Sequence, residues 1–361
     1  NLAALAARGA VSPSRVDEAV SRVLRVKFLA GLFDVPRGLP PEQVRAAVRT
    51  PEHVALARRL ADESIILLRN AGGLLPLDAD RVRSLAVIGP NADQVQFGDY
   101  APSKSNADGV TVLQGLRRLV GGRVQLNYAK GCNLVDRSTA GFAEAVAAAA
   151  SSQVAVVVIG DTSMILSGVG WEDPTLPASG TVGEGYDVTD PVPPGVQSEL
   201  GRAIQATGKP VVVVFLHGRP YSVPWIKASV PAIVSAFYPG QQQGAAVADI
   251  LFGNVNPSGR LPMTVAQSAG HIPTVYDYKP SGRGCYHQPG TPDRPGRDYV
   301  FCSPDPLWPF GFGLSYTRFD YFDLRIDTPV VAADGEVRLS FAVRNAGSRA
   351  GKEVTQVYVR D

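Results

Sequence analysis

Four largely apolar runs, each ending in glycine, constrain the fold of this chain more than any other feature. They are rich in β-branched residues and lie at 84–89, 153–160, 210–218 and 232–240. Because the apolar residues are continuous rather than alternating, each run is predicted to be a strand buried on both faces, as in a parallel sheet. Amphipathic stretches that suit helices lie between them, at 111–120, 139–150, 196–206 and 240–253. This alternation predicts an α/β fold with a doubly wound, mostly parallel sheet.

A helical segment precedes the sheet region. Ser12 followed by Pro13 is a typical helix start, since the hydroxyl can cap the first turn and proline suits the first helical position. Apolar residues then recur at helical spacing until Gly31, where we expect the helix to end. After a proline-rich linker, a second helix is predicted from Pro51 to Leu68.

The last part of the chain follows a different pattern. Residues 266–315 are dense in Pro, Gly and Tyr, which predicts a loop-rich extension. Within 316–361, polar and apolar residues alternate in three short stretches, at 320–327, 336–345 and 353–361. Three alternating strands separated by turn signals predict the start of a β-sandwich.

Charge and motif content exclude several classes of protein. Lys and Arg number 35 against 33 acidic residues, a formal net charge of +2, and they are scattered, which argues against a nucleic-acid-binding protein. No stretch of about 18 apolar residues is present to span a membrane. The 4 histidines are dispersed and no CxxC pattern occurs, so we expect no metal site and no bound cofactor. The motifs GxSxG, P-loop and GxGxxG are absent, which leaves serine-hydrolase, nucleotide-hydrolysing and dinucleotide-binding roles without support.

Three questions are left open by the sequence. Cys285 and Cys302 flank an insertion rich in proline and glycine, and they either close it as a disulfide or remain free thiols. The chain begins within a helical pattern and ends within an alternating one, so we expect a fragment that is open at both ends. Whether two copies form a homodimer is equally open.

The longest loop of the sheet region lies at 161–195, between the second predicted strand and the next helix. Loops of this length without secondary structure are usually functional or disordered. Within it, Glu184 stands between Gly183 and Gly185, and flanking glycines let a backbone bend sharply against another surface. A carboxyl group inserted into a cleft would be desolvated, its pKa would rise, and it could act as a general acid. The alternative is an ordinary solvated glutamate, and this pattern alone does not decide between them.

Other residues carry weaker hypotheses. Glu172 is a second candidate acid in the same loop, but it lacks flanking glycines, and Asp187 fits an ordinary turn. His217 and Arg219 follow a buried strand, which is a good position for a site because ligands bind beyond the carboxyl ends of strands in open α/β sheets. An arginine there could equally pair with a carboxylate of the core. His271 lies in a loop and is predicted to be structural rather than catalytic.

A series of motifs runs along nearly the whole chain. The motifs lie at 15–36, 63–77, 85–100, 183–200, 208–225, 236–264, 306–319 and 344–361. In order and spacing, the series resembles glycoside hydrolase family 3, the β-glucosidase and β-xylosidase group. Several motifs in sequence are far more specific than any one of them.

The resemblance implies a division of the chain into five segments. These are the C-terminal helices of a barrel domain (1–35), a linker (36–50), an α/β sandwich domain (51–265), a loop-rich extension (266–315) and a partial fibronectin-type-III-like β-sandwich (316–361). The N-terminal barrel domain itself would be missing.

The resemblance also implies a catalytic residue. In many members of the family, the general acid/base is the Glu of an E-G-x-D pattern, which this chain has at 184–187, so Glu184 takes that role. Val188 stands where an Arg often follows the Asp, so any contact of that Arg has no counterpart here. Trp171, in the same loop, either stacks on a sugar ring as a substrate-binding residue or pins the loop to its domain.

The family's nucleophile is an Asp late in the barrel domain, usually followed by Trp, and no such motif occurs in this chain. Asp99 is not a substitute, because its context belongs to the second domain. The chain should therefore supply the acid/base and lack the nucleophile, and we expect it to be inactive by itself.

The activity that the resemblance implies is that of a retaining, β-glucosidase-like glycoside hydrolase. It would cleave terminal β-D-glycosyl residues of an oligosaccharide or glycoside by double displacement. The alternatives are a β-xylosidase of the same family, a non-catalytic carbohydrate-binding α/β protein, and an unrelated doubly wound enzyme that acts on a small anionic substrate.

Overall fold

The computed structural model describes most of the chain. The described residues are 1–34, 38–101, 105–163, 180–277, 288, 290–297, 299–328 and 330–359. They fall into two compact units, Asn1–Val54 and Ala55–Asp361. Among these residues, no helix combines the length and apolarity that crossing a membrane requires.

The first unit is helical. It holds α1 (Leu2–Ala7), α2 (Pro13–Leu29), α3 (Pro41–Ala47) and the beginning of α4 (Pro51–Ser64). α2 begins as predicted, because the Ser12 hydroxyl accepts a hydrogen bond from the amide of Arg15 at 3.2 Å and Pro13 occupies the first turn. It ends at Leu29, close to the end predicted from the sequence.

The second unit is built on a sheet with six strands in the part of the chain that the structure describes. They are β1 (Ile66–Asn70), β2 (Ser84–Ile88), β3 (Gln125–Ala129), β4 (Val154–Gly160), β5 (Val211–Leu216) and β6 (Ala232–Ser235). Their order is β1-β6-β5-β4-β2-β3. β1 runs antiparallel to β6, whereas the other neighbours pair in parallel. The mostly parallel sheet predicted from the four apolar runs is confirmed.

Helices cover both faces of this sheet. They are α5 (Val112–Val120), α6 (Phe142–Ala150), α7 (Gln197–Gln205), α8 (Pro224–Ser229) and α9 (Gln243–Phe252). In β5, Val212 and Val214 join a core with α5 and α9, whereas Val213 and Phe215 join a core with α6, α7 and α8. The doubly wound α/β fold is therefore confirmed, and burial on both faces explains why the central strands are apolar throughout.

Two strands differ from the sequence prediction. The helix predicted to reach Leu68 ends at Ser64, because Ile66 and Leu67 are buried and pair with β6. β3 escapes the sequence analysis because it is an edge strand of partly polar and partly exposed residues, so no continuous apolar run marks it.

The C-terminal part contains one antiparallel pair, β7 (Phe319–Ile326) and β8 (Leu339–Asn345). The third predicted strand is not formed over its described residues, 353–359. Side chains hold this segment instead: the Tyr321 hydroxyl donates to Oε1 of Glu353 at 2.9 Å, and Nε2 of Gln356 donates to the Gly311 carbonyl at 2.8 Å.

Candidate functional site

Two parallel strands end side by side at the carboxyl edge of the sheet. β4 ends at Gly160 and β5 at Leu216, and these residues are partners in the strand register. Ligands of open α/β sheets bind beyond this edge. The Glu184 loop (residues 180–195) returns to the same edge, where its Thr181 meets the residues that follow β4.

Thr181 fixes the base of the Glu184 loop. Its amide donates to the carbonyl oxygen of Thr162 at 2.8 Å, and the amide of Thr162 donates to its hydroxyl oxygen at 2.9 Å. The same hydroxyl donates to Oδ1 of Asp161 at 3.0 Å. Three hydrogen bonds therefore tie the beginning of the loop to the end of β4.

The tip of the loop bends at its two glycines. Gly183 has φ = 127° and Gly185 has φ = 82°, values that favour glycine over any other residue, and the side chain of Glu184 between them is exposed. A side chain at position 183 would also collide, because its Cβ would lie 2.4 Å from Oδ2 of Asp99. The glycines thus provide both the bend and the close approach to a neighbouring carboxylate.

That carboxylate, Asp99, contacts the loop at its tip. The amide of Glu184 donates to Oδ2 of Asp99 at 2.9 Å, and the hydroxyl of Ser163 donates to its Oδ1. From the sequence, Asp99 is rejected as a substitute nucleophile, and no other role is predicted for it. Its hydrogen bonds instead make it a ligand of the loop backbone.

Arg219 holds the loop from the side of β5. One nitrogen, Nη2, donates to the carbonyl oxygen of Thr181 at 3.0 Å and to that of Tyr186, so the two bonds bracket Glu184. The guanidinium also interacts electrostatically with the carboxylate of Asp161. Arg219 therefore binds the loop, and its charge also balances a buried carboxylate, which is the pairing that the sequence offered as the alternative to a site residue.

Asp161 is a buried carboxylate beneath the loop. Burial raises its pKa, and the hydrogen bond from the Thr181 hydroxyl and the charge of Arg219 oppose that rise. Burial also raises the pKa of the Tyr221 hydroxyl. Among the described residues, Oδ2 of Asp161, the Tyr221 hydroxyl and Nε of Arg219 are buried without a hydrogen-bond partner.

His217 belongs to the core rather than to an open site. Its ring lies between Phe237 and Tyr221, at centroid distances of 4.6 and 5.2 Å. Nε2 lies 2.8 Å from the Ser235 hydroxyl, and Nδ1 contacts the Arg219 carbonyl. Complete burial lowers the pKa of this imidazole to about 4, so it is neutral at physiological pH.

His271 is also mostly buried. Nε2 lies 3.4 Å from Sγ of Cys302, and the imidazole packs on the ring of Tyr299 at a centroid distance of 4.3 Å. Burial lowers the pKa of His271. Cys302 carries a free thiol, whereas Cys285, its suggested disulfide partner, lies outside the described residues. Trp171 and Glu172 also lie outside them.

A cleft of about 410 Å³ lies beside the Glu184 loop. Its lining includes Val188, Thr189, Pro191, Arg219, Thr264 and Ile272. The cleft is mainly apolar, which is typical of small-molecule sites, and its volume lies within their usual range of roughly 300–1,000 Å³. In the described ranges, no group of three or more His, Cys, Asp and Glu side chains is arranged to hold a metal ion.

The sheet, its carboxyl edge and the Glu184 loop lie within a region that matches a protein family. The model of the "Glycosyl hydrolase family 3 C-terminal domain" matches residues 65–316. The chain belongs to glycosyl hydrolase family 3. The resemblance inferred from the ordered motifs is confirmed.

Named relatives in family 3 span nearly all of this chain. A β-xylosidase of Formosa agariphila is 40% identical over 359 residues and covers 96% of the chain. A periplasmic β-glucosidase of Salmonella typhimurium is 33% identical over 379 residues and covers 98% of it. Among solved structures, a β-glucosidase of Erythrobacter marinus matches with a TM-score of 0.81 and 37% identity over 97% of the chain.

The chain spans less than half the length of these family 3 proteins. It covers 45% of the β-xylosidase, 47% of the periplasmic β-glucosidase and 46% of the E. marinus chain.

Asp99 as a loop ligand, Ser163 and Asp161 are among the residues of this arrangement that were not predicted from the sequence. One signal was available for Asp161 and Ser163, because they lie one and three residues after a strand that ends at the carboxyl edge of the sheet. Asp99 comes from a distant segment, so its contact with Glu184 depends on tertiary structure alone.

Proposed function

We propose that this chain supplies the general acid/base of a retaining β-glycosidase and that Glu184 is that residue. The supporting observation is the geometry of the tip: an exposed carboxyl between two glycines with positive φ, on a loop whose backbone is held on both sides. Membership of family 3 supports glycoside hydrolysis as the reaction.

In such a reaction, two carboxyl groups lie about 5–5.5 Å apart across the scissile bond. One attacks the anomeric carbon and forms a covalent glycosyl-enzyme, while the acid protonates the departing glycosidic oxygen. In the second step, the same residue removes a proton from the attacking water, and the sugar leaves with its configuration retained. Glu184 would act first as the acid and then as the base.

The nucleophile would come from polypeptide outside these 361 residues. The chain carries no Asp-Trp motif of the family's kind, and the relatives it matches are about twice as long. Both carboxylate oxygens of Asp99 already accept hydrogen bonds within the chain. Asp99 is therefore poorly suited to attack a sugar, since its oxygens are bound to the loop.

For the substrate, we propose a terminal β-D-glucoside, with a β-D-xyloside as the second candidate. Relatives and structures named as β-glucosidases support the first. The relative that is 40% identical is named as a β-xylosidase and supports the second. Trp171 is the residue that we propose to stack on the sugar, and it lies outside the described residues.

The experiment is the substitution Glu184→Gln in the full-length protein. We expect kcat/KM on an unactivated disaccharide to fall by roughly 10²–10⁴, because the leaving oxygen loses its proton donor. On a 2,4-dinitrophenyl glycoside, kcat/KM should stay near the wild-type value, because that leaving group needs no proton. On the same substrate kcat should fall, because hydrolysis of the glycosyl-enzyme loses its general base, and added azide should restore kcat and yield the β-glycosyl azide.

Glu144→Gln is the matched control, since Glu144 is an exposed glutamate on α6 in the same unit. This substitution should leave kcat/KM on both substrates unchanged. Wild-type turnover of the disaccharide by the Glu184→Gln protein would exclude Glu184 as the acid and leave Glu172 as the next acid to test.

A further inference from the structure

We propose that Asp99 is a positioning residue for catalysis, which fixes Glu184 through its main chain rather than through its carboxyl group. This inference rests on the proposed role of Glu184. The segment that carries Asp99 follows β2, so the contact joins parts of the chain 85 residues apart in sequence. Its effect on the reaction would pass entirely through the Glu184 loop.

The two oxygens of Asp99 have separate partners. Oδ2 accepts from the Glu184 amide at 2.9 Å, and Oδ1 accepts from the Ser163 hydroxyl. Hydrogen bonds to an ionised carboxylate are shorter and roughly twice as strong as neutral ones. Ser163 thus orients the carboxylate. The carboxylate in turn fixes the amide nitrogen of Glu184, which is bonded to the Cα that carries the side chain.

Steric fit supports the same role. Asp99 is half-buried against Gly183, and a Cβ at position 183 would lie within 2.4–2.8 Å of three atoms of its carboxylate group. The glycine therefore makes room for the carboxylate at the residue that precedes Glu184. A longer acid at position 99 would meet the same backbone.

Asp99 bonds to the main chain of Glu184 itself, whereas Arg219 bonds to residues on either side of it. Arg219 binds the carbonyl oxygens of Thr181 and Tyr186, three residues before and two residues after Glu184. Those bonds limit the path of the loop, and within the tip the amide of Tyr186 donates to the carbonyl oxygen of Gly183 at 3.1 Å. The bond from Asp99 to the Glu184 amide holds the same peptide plane from outside the loop and so restricts its rotation further. A displacement of 1 Å at a reacting group can cost about 10²-fold in rate, so this restriction matters for proton transfer.

The test uses Asp99→Ala in the full-length protein, with the same pair of substrates. We expect kcat/KM on the unactivated disaccharide to fall by roughly 10- to 100-fold, while kcat/KM on the 2,4-dinitrophenyl glycoside stays within about twofold of wild type. Asp99→Asn keeps one acceptor oxygen and should recover part of the loss. A merely structural role would lower kcat/KM on both substrates by the same factor.

The double variant Asp99→Ala/Glu184→Gln separates this inference from the proposed function. If Asp99 acts through Glu184, the double variant should be no slower on the disaccharide than Glu184→Gln alone, because coupled residues are non-additive. If Glu184→Gln has no effect, the proposed function fails by itself. If Glu184→Gln behaves as expected while Asp99→Ala matches wild type, only the positioning role is overturned.

Two further variants keep the test decisive if Asp99→Ala does not fold. Ser163→Ala removes the hydroxyl that orients Asp99 and should give a smaller loss with the same dependence on the leaving group. Asp80→Ala removes an exposed aspartate elsewhere in the same unit and should change kcat/KM on neither substrate. Equal losses on both substrates for Ser163→Ala would contradict the proposal.

Discussion

At the scale of single residues, His217 shows that burial can keep a titratable side chain out of acid–base chemistry. An imidazole at the carboxyl edge of a sheet is a reasonable candidate for acid–base chemistry, and the sequence placed His217 there correctly. The structure encloses its ring between Phe237 and Tyr221 and bonds Nε2 to the hydroxyl of Ser235. The same burial that removes it from the site lowers its pKa to about 4 in the folded protein. Because the pKa then differs between the folded and unfolded states, the free energy of unfolding depends on pH.

The pH dependence of stability follows from that shift. An unfolded histidine titrates near pH 6.5, so between about pH 6.5 and 4 the unfolded chain binds a proton that the folded protein excludes. The contribution of His217 to the free energy of unfolding is therefore fully present above about pH 6.5, and roughly 2 kcal/mol of it should be lost between pH 7.5 and 5. Urea unfolding at both pH values measures the loss.

His217→Gln, which does not titrate, should lose this component of the pH dependence. His53→Gln, at an exposed histidine in the first unit, should retain it. A pH dependence of unfolding that is identical in wild type and His217→Gln would contradict the assignment.

At the scale of elements, α5 and α9 pack unusually closely. A Cβ at Gly115 of α5 would lie 2.0 Å from the carbonyl oxygen of Gly244, and one at Gly244 would lie 1.8 Å from that of Thr111. The contacts are with backbone, which cannot rotate away as a side chain can. This helix pair covers one face of the sheet, so its spacing affects the core beneath it.

Gly244→Ala and Gly115→Ala should each destabilise the protein by roughly 1–3 kcal/mol or more, because the two helices must separate to admit a methyl group. Their effects should not add, since both substitutions force open one contact. Chemical denaturation measures the changes. Gly122→Ala, where no atom lies within 4 Å of the added Cβ, should stay within about 0.5 kcal/mol of wild type.

Which elements the sequence predicts depends on where they lie in the sheet. β2, β4, β5 and β6 were found because burial on both faces demands uninterrupted apolar residues. β3, at the edge, carries polar residues and was missed, and the start of β1 was joined to the preceding helix. The Glu184 loop was located by its length and glycines, whereas its contact with Asp99 was not, because contacts between distant segments leave no local pattern.

At the scale of the whole molecule, the two units differ in what they bury. α1, α2 and α3 contain no buried residue, and apolar side chains of α2 such as Val23, Phe28 and Leu29 are exposed. The described residues of the first unit therefore contain no buried core of their own. The assignment of residues 1–35 to the end of a barrel domain stays a prediction.

The proposed division of catalytic groups gives a prediction for the 361-residue chain. By itself it should not hydrolyse 4-nitrophenyl β-D-glucoside or β-D-xyloside, because it supplies an acid/base without a nucleophile. The full-length protein should hydrolyse one of them, which steady-state assays at matched concentrations would compare. Activity of the isolated chain that Glu184→Gln removes would show that its nucleophile lies within these residues.

The contacts that Asp99, Arg219 and Ser222 make with the Glu184 loop end on its main-chain atoms, namely the amide of Glu184 and the carbonyl oxygens of Thr181, Tyr186 and Pro191. Every amino acid except proline, which lacks the amide hydrogen, has the same main-chain donor and acceptor. Mutations at 186–190 can therefore accumulate without dislodging the loop, provided that Asp99 and Arg219 persist. The side chains of the loop, and so its contacts with a ligand, can thus change during evolution while the position of its main chain stays the same.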